Sequence, residues 1–467
     1  MNGGPAAVPA VYAGRRARLA QAMAAAGGGV AIVPTAPERP RSADSDHPYR
    51  HDSHFHYLTG FDEPQAWLLL HASGRSVLLL REKNPEREVW DGVRLGPQAA
   101  PSVLGVDEAA TVDALDATLA RELANQSAVW FPFANTDVPP RVEAGLAAIR
   151  RRSQYGEACP TQHRDLSPLL AGMRLVKDET ELATMRRAAD ISAGAHRRAM
   201  RFCGARWRDD PQAQVAEYEI EAELLHEFRR HGAQSPAYPS IVAAGANACV
   251  LHHASGSTRL RAGELCLIDA GCELDGYASD ITRTFPASGR YNAAQRELYE
   301  IVLAAQQAAA AATRPGARQR DAHHAAVRVL AQGMLDTGLL DRRSVGDVDA
   351  VIESAAYRRH YMHGTGHWLG RDVHDVGDYL ALDEAAFDQP DGLGGRIVKQ
   401  PSRRLQPGMV VTLEPGLYVR PAADVPERYW QIGIRIEDDA VVTATGCELI
   451  SRGVPVAADQ IEALMRG

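Results

Sequence analysis

The dipeptide Asp275-Gly276 separates the apolar run Leu265-Cys266-Leu267-Ile268-Asp269-Ala270-Gly271 from the segment Tyr277-Ala278-Ser279-Asp280-Ile281-Thr282. Asp-Gly between two such runs is a strong signal for a two-residue β-hairpin, because both turn positions require positive φ. The turn sets Leu274 opposite Tyr277, and the same register continued sets Asp269 opposite Thr282. Asp280 then becomes a diagonal neighbour of Asp269 on one sheet face, where Cα atoms lie about 7–8 Å apart. Two carboxylates therefore converge on a strand pair that reads as core. A carboxylate directly after Leu-Ile is costly to bury unless it is paired or binds a metal.

Three further segments place charge against apolar surroundings. Met409-Val410-Val411-Thr412-Leu413-Glu414-Pro415-Gly416 is an apolar strand that ends in a glutamate before a Pro-Gly stop. In Ile432-Gly433-Ile434-Arg435-Ile436-Glu437-Asp438, strict alternation puts the isoleucines on one face and Arg435 with Glu437 on the other. The third runs from Met362 to Asp375 and holds His363, His367 and His374. Histidines at i and i+4 fit a helical zinc pair, but Gly364 and Gly366 between them favour a loop. Each segment also has an ordinary reading: Asp269 satisfied by backbone amides, Arg435 and Glu437 on a solvated sheet face. Taken together, four carboxylates and a histidine describe a hard, oxygen-rich site suited to manganese, cobalt or similar divalent ions. That donor set is large enough for a two-metal centre about 3.5–4 Å across.

The remainder of the chain bounds the fold. Apolar runs at 29–33, 66–70, 76–80 and 128–131 alternate with helical stretches, an α/β pattern. Asp178 with Glu181 reads as a capping box opening a long amphipathic helix, with Leu182, Met185, Ala189 and Ala193 on one face. We therefore expect an α/β N-terminal domain over 1–173 and an α+β domain over 174–467. The second has helices near 212–231, 292–314 and 319–337 and β-rich segments at 240–285 and 408–444. Asp388 to Arg404, rich in glycine and proline, reads as an exposed loop. Near the N-terminus, a surface helix from Tyr12 to Ala26 turns Val11, Leu19 and Met23 inward and leaves Arg15, Arg16 and Arg18 in solvent. That reading is preferred to an Arg-rich transit peptide.

The 51 basic and 59 acidic side chains give a net charge of −8, which argues against a nucleic-acid partner. No apolar run approaches the ~18–20 residues of a membrane span. Six cysteines in 467 residues are too few to staple the chain, which fits a reducing, cytoplasmic setting. The three lysines, Lys83, Lys177 and Lys399, lie outside any Gly-rich phosphate loop.

The motifs Ile268-Asp269-Ala270-Gly271, Asp280-Ile281-Thr282-Arg283, His363-Gly364 through His367, Val373-His374-Asp375, Glu414-Pro415-Gly416 and Gly433 to Asp438 resemble those of the pita-bread metallopeptidases, and within them the aminopeptidase P family. Phe55 to Phe61 and Trp90 to Gly96 resemble that family's N-terminal domain, so the likeness spans nearly the whole chain. The resemblance implies an α/β N-terminal domain that supports oligomerisation, followed by a pita-bread catalytic domain. It makes Asp269, Asp280, His367, Glu414 and Glu437 the ligands of two divalent ions, manganese first with cobalt or zinc as alternatives, and Asp280 and Glu437 bridge them. It also implies an exopeptidase that releases the residue preceding a penultimate proline, by attack of a metal-bridging hydroxide.

In that scheme Glu414 relays the proton, His374 and His252 donate to the carbonyl oxygen, His363 packs near the proline and Arg435 supports the network. The implied partners are peptides with proline second and further copies of the chain, as dimer or tetramer, with Trp90 reaching a neighbour's site. His253 stands where the family often has tyrosine, and 378–404 is longer than expected. Prolidase, with the same centre, is the nearest rival. A non-catalytic binding protein on the same fold is a distant one, and a Cys249–His252 nucleophile a third.

Overall fold

The computed structural model describes residues 7–210, 212–390 and 396–467, and the chain divides into two compact units, Met1–Met173 and Arg174–Gly467. The N-terminal unit is built on a six-stranded sheet of β1 (Val30–Pro34), β2 (Trp67–His71), β3 (Ser76–Leu80), β4 (Glu108–Thr111), β5 (Ala128–Phe131) and β6 (Gln162–Asp165), in the order β4-β3-β2-β1-β5-β6. The sheet is mixed: β1 pairs antiparallel with β2 and parallel with β5. Strands β1, β2, β3 and β5 are buried along their whole length, which is why they read as continuous apolar runs rather than as alternating ones.

Helix α1 (Ala7–Ala25) buries Leu19 and Met23. Arg15 and Arg16, expected in solvent, are instead buried. Arg16 donates to the carbonyls of Leu58 (2.9 Å) and Leu104 (3.2 Å), and the Arg15 guanidinium lies 4.3 Å from the centroid of the Tyr57 ring. Their charges are satisfied by carbonyls near the C-terminal ends of two short helices, Ser53–Thr59 and Ala100–Leu104, and of the three only Arg18 remains exposed.

The second unit opens with α2 (Glu179–Asp209). The Asp178 carboxylate accepts from the amides of Thr180 and Glu181 (both 3.0 Å), and Glu181 accepts from the Asp178 amide (3.0 Å), a closed capping box. Leu182, Met185, Ala189 and Ala193 are buried along one side of the helix. Helices α3 (Glu217–Arg230), α4 (Ala293–Ala312) and α5 (Gln319–Asp336) complete the helical layer.

The sheets place the site. Strand β7 (Ile241–Ala244) pairs with β8 (Leu265–Asp269), and β9 (Cys272–Leu274) pairs with β10 (Tyr277–Ala278). Strand β8 also pairs with β11 (Thr282–Pro286), with Asp269 opposite Thr282 as the turn chemistry requires. Asp275 and Gly276 have φ of 50° and 73°, the double positive φ of a type I′ turn. The ladder breaks midway. A Cβ on Gly271 would sit 1.7 Å from the Ser279 carbonyl oxygen, so only glycine permits the close approach there. Asp280 falls in the break between β10 and β11.

A hairpin forms from β12 (Phe387–Pro390) and β13 (Arg396–Lys399), so the stretch 388–404 is only partly loop; residues 391–395 lie outside the described residues. Its C-terminal end is buried at Ser402.

Strand β14 (Val410–Leu413) is followed after two residues by β15 (Gly416–Val419). Strand β14 stops at Glu414-Pro415 as expected, and a second strand resumes at once from Gly416. Strand β15 pairs with β16 (Ile432–Arg435), and β14 pairs with β17 (Asp438–Val442), which also pairs with β18 (Cys447–Leu449). Glu414 sits between β14 and β15, and Glu437 between β16 and β17. An isolated bridge ties Glu437 to Thr282, and another ties Trp368 to Val411. These breaks free the carboxylates from the sheet pleat and turn them toward one point.

Candidate metal centre

Asp280, His367 and Glu437 each bring one ligand atom to within 4.8 Å of the others. His367 Nε2 is 3.4 Å from Asp280 Oδ2 and 3.8 Å from Glu414 Oε1. The loop carrying His367 is not helical, as Gly364 and Gly366 required. At Gly366 a Cβ would lie 1.8 Å from the Thr412 carbonyl oxygen, so the loop packs directly on β14. His367 Nδ1 donates to the Trp368 carbonyl (2.9 Å), which fixes the tautomer and leaves the Nε2 lone pair for a metal. Thr412 Oγ1 accepts the His367 amide (3.1 Å) and donates weakly to Glu414 (3.4 Å). Thr282 Oγ1 donates to Glu437 Oε2 (2.7 Å).

Asp269 stands beside this triad. Its Oδ2 accepts from Arg435 (2.7 Å), and the Tyr238 hydroxyl contacts both Asp269 (2.6 Å) and Asp280. One phenolic proton serves only one of the two carboxylates. The second contact is tolerable only if that carboxylate carries a proton or faces a cation.

The electrostatics agree. Burial raises both Asp280 and Glu437, with repulsion from neighbouring acids adding to it, while at Asp280 the His367 hydrogen bond pulls the other way. Burial lifts Glu414 to about 7, although His367 and Arg435 pull the other way. For His367, burial is outweighed by Asp280 and Glu414, and its value rises to about 9. A buried, oxygen-rich donor set that holds its negative charge so poorly fits hard divalent cations.

A consequence follows for the metal-free protein. Glu414 is raised from 4.5 to about 7, so its contribution to stability is full below pH 4.5 and disappears as pH climbs through 7. Asp280 and Glu437 act with the same sign. After chelation, the unfolding free energy from urea titrations should fall between about pH 5 and pH 9, by on the order of 1–3 kcal/mol, with the raised His367 adding to the loss at the upper end. Added Mn²⁺ should remove most of that fall, because the ion displaces the protons. A midpoint independent of both pH and metal would count against a metal centre here.

The other expected residues are placed as follows. His374 packs against His367 with ring centroids 4.1 Å apart and is itself exposed. His363 donates from Nδ1 to the Gly364 carbonyl (2.7 Å), accepts at Nε2 from Tyr418 (2.8 Å), and lies 3.7 Å from Glu414 Oε2. Burial and the nearby Arg435 charge push His363 down to about 4, so it is neutral at pH 7. Arg435 is 4% exposed, not part of a solvated face, and also donates to Tyr418 (3.0 Å) and Thr282 (3.2 Å). His252 is exposed and close enough for its charge to lower both His363 and His374. His253 is withdrawn to Glu217 (2.9 Å). Burial pushes the Cys249 thiol up to about 11, so no thiolate is available for a Cys249–His252 nucleophile.

Tyr238, Tyr418 and Thr412 were not singled out from the sequence. Tyr238 lies in a short loop without periodicity, and nothing local marks it. Thr412 interrupts the buried apolar run Val410-Val411-Thr412-Leu413 on β14, and that polar interruption is the available signal.

Comparison with known proteins gives concordant matches. Residues 183–444 match the model of metallopeptidase family M24, and residues 12–130 match that of the aminopeptidase P N-terminal domain. The Xaa-Pro aminopeptidase of Escherichia coli (strain K12) is 42% identical over 445 residues, 94% of each chain. Human Xaa-Pro aminopeptidase 3 is 31% identical, covering 92% of this chain and 80% of that one. The structure of a Pseudomonas aeruginosa aminopeptidase superposes with a TM-score of 0.87 at 43% identity, over 97% of this chain and 98% of the other. A substrate complex of Escherichia coli aminopeptidase P gives 0.88 at 41% identity, over 98% of each chain.

Proposed function

Because the chain belongs to metallopeptidase family M24 and carries an aminopeptidase P N-terminal domain, we infer that it is an Xaa-Pro aminopeptidase, a hydrolase that releases the N-terminal residue from peptides with proline second. The observation that carries this reading is the meeting of Asp280 and Glu437, at breaks in separate ladders, with His367 from the glycine-bounded loop, and with Glu414 and Asp269 beside them. Asp269, Asp280, His367, Glu414 and Glu437 would hold two divalent ions, Mn²⁺ before Co²⁺ or Zn²⁺, with Asp280 and Glu437 shared. When bound, such ions polarise a carbonyl and acidify a water.

The chain's own side chains supply the remainder. Glu414, lifted to about 7, is poised to take a proton and return it to the leaving nitrogen of the proline. His374, with a lowered pKa, is neutral at pH 7 and offers an N–H to the carbonyl oxygen as charge develops there, and His252 is the second such donor. Both nitrogens of His363 are already engaged. Its ring face is what remains for contact, which suits an apolar pyrrolidine. Arg435 positions Asp269 and, through Tyr418, His363.

We assign the unit over 1–173 a supporting and oligomerising role and the unit over 174–467 the catalytic one. Trp90, at 82% exposure beside exposed Val89 and Val93, supports a homo-oligomer, dimer or tetramer, in which this patch is covered. No helix among the described residues is long and apolar enough to cross a membrane. A cytoplasmic setting rests on the sparse cysteines, all six of them free.

The test combines metal and substrate. Chelation should remove turnover of an Xaa-Pro-Xaa tripeptide, and reconstitution with Mn²⁺ should restore it. Cleavage of Xaa-Pro dipeptides alone would transfer the assignment to prolidase.

A further inference from the structure

The loop carrying His363 has a second concavity on it, a cavity of about 880 Å³ to which none of the five candidate ligands contributes. That volume suits several residues of peptide, not a single ion. Its walls include apolar surface from Val327, Ile352 and Leu405, while Arg320, Arg358 and Lys399 also face it. Asp349 on the same wall is paired with Arg328 (2.7 Å). Among the described residues, Arg320, Arg358 and Lys399 have no carboxylate partner, although acids outnumber bases 59 to 51 in the chain.

His323 reinforces the pattern. Its Nδ1 is engaged by Thr365 Oγ1 (2.8 Å), and burial, then the charges of His324, Arg320 and Arg358, push it down to about 4. The cavity is therefore electropositive without an internal counter-ion. It is also joined to the candidate centre. His363 lines it while lying 3.7 Å from Glu414, and the Thr365 carbonyl accepts the Glu414 amide (2.8 Å). Because His363 lines the cavity, a peptide with its proline against that ring would have its next residues, at about 3.3–3.6 Å each, within reach of it.

Building on the aminopeptidase reading, we propose that the cavity is a specificity site for the residues after the proline and selects peptides that bring a carboxylate into it. The carboxylate has two sources, an acidic side chain or the peptide's own C-terminus. The substrates that separate them are Ala-Pro-Ala-Ala with a free C-terminus, its amide, and the amides of Ala-Pro-Ala-Asp and Ala-Pro-Ala-Lys.

The wild-type enzyme should cleave carboxylate-bearing peptides with kcat/KM higher than the lysine amide by roughly fivefold per ion pair formed, and the preference should shrink at high salt. Arg320→Ser with Arg358→Ser and Lys399→Ser should bring that ratio close to one. Arg230→Ser, which removes an exposed charge from α3, should leave the ratio as in the wild type. Each ratio is measured within one protein, so partial unfolding of a variant does not disturb it. Preference for the aspartate amide alone identifies a side-chain site, and preference for the free C-terminus alone a terminus site. Equal kcat/KM for all four peptides in an active wild-type enzyme overturns the proposal. So does a response of amide cleavage to inorganic phosphate without any peptide preference, which marks a free-anion site. If no peptide is cleaved, the aminopeptidase reading fails and this inference fails with it.

Discussion

Asp280→Ala is expected to lose its bound metal and at least about 10³-fold in kcat, because a centre worth several kcal/mol of charge stabilisation cannot form without its central carboxylate. Asp280 lies within the ligand triad, 3.4 Å from His367 Nε2, and shares the Tyr238 hydroxyl with Asp269. The variant should nevertheless fold. In the metal-free protein Asp280 is a liability: burial raises it most, the His367 hydrogen bond pulls it back only in part and Asp269 raises it again, so ionising it costs stability near neutral pH. Its removal leaves the Tyr238 proton to Asp269 alone. Metal-free Asp280→Ala should therefore be as stable as metal-free wild type at pH 7, or more stable by about 1 kcal/mol. Metal analysis, tripeptide turnover and urea midpoints after chelation read the three quantities separately. Full metal occupancy with turnover near wild type would sink the centre as drawn. Lost activity with a collapsed midpoint would show that Asp280 serves the fold instead.

The parts of this site that could be read from sequence are those set by local chemistry. Asp275-Gly276 fixed a turn, the turn fixed a register, and the register paired Asp269 with Thr282. Asp178 and Glu181 closed a capping box three residues apart. Other features depend on groups distant in the chain. Whether Arg15 and Arg16 are solvated turns on carbonyls near residues 57, 58 and 104, which no helical periodicity encodes. Alternation placed Arg435 and Glu437 on one face but could not say whether that face met water. The answer lies with Thr282 and Asp269 from a different ladder. The stop at Glu414-Pro415 is legible, but the strand that resumes at Gly416 is not, because a strand stop and a break between two strands have the same local composition. The functional acids sit at just such breaks, where the pleat no longer dictates direction and local pattern carries least information.

Asp438→Ala should show the opposite behaviour to Asp280→Ala, although an isolated bridge between Thr282 and Glu437 brings their segments together. Asp438 is fully buried, accepts from Arg283 (2.8 Å), Gln306 (2.9 Å) and Ser451 (2.6 Å), and lies 3.0 Å from Arg452 Nε as an ion pair. Arg283 is fully buried too, and its remaining donors go to the carbonyls of Thr282, Glu437 and Pro455. Alanine at 438 leaves that guanidinium without a counter-charge in the core, an omission that costs about 3–5 kcal/mol in comparable buried pairs. Against a typical total of about 5–15 kcal/mol, the urea midpoint should fall steeply whether or not metal is bound. The double variant Arg283→Met with Asp438→Leu should be less destabilised than the sum of the single changes, because it removes both charges together. A midpoint for Asp438→Ala within about 1 kcal/mol of wild type would mean that the pair does not hold the ladders together. Since the Glu437 carbonyl is one of the groups Arg283 grips (2.6 Å), a loosened Arg283 should also weaken metal binding. That loss should follow the loss of stability, whereas in Asp280→Ala metal is lost from a protein that is still folded.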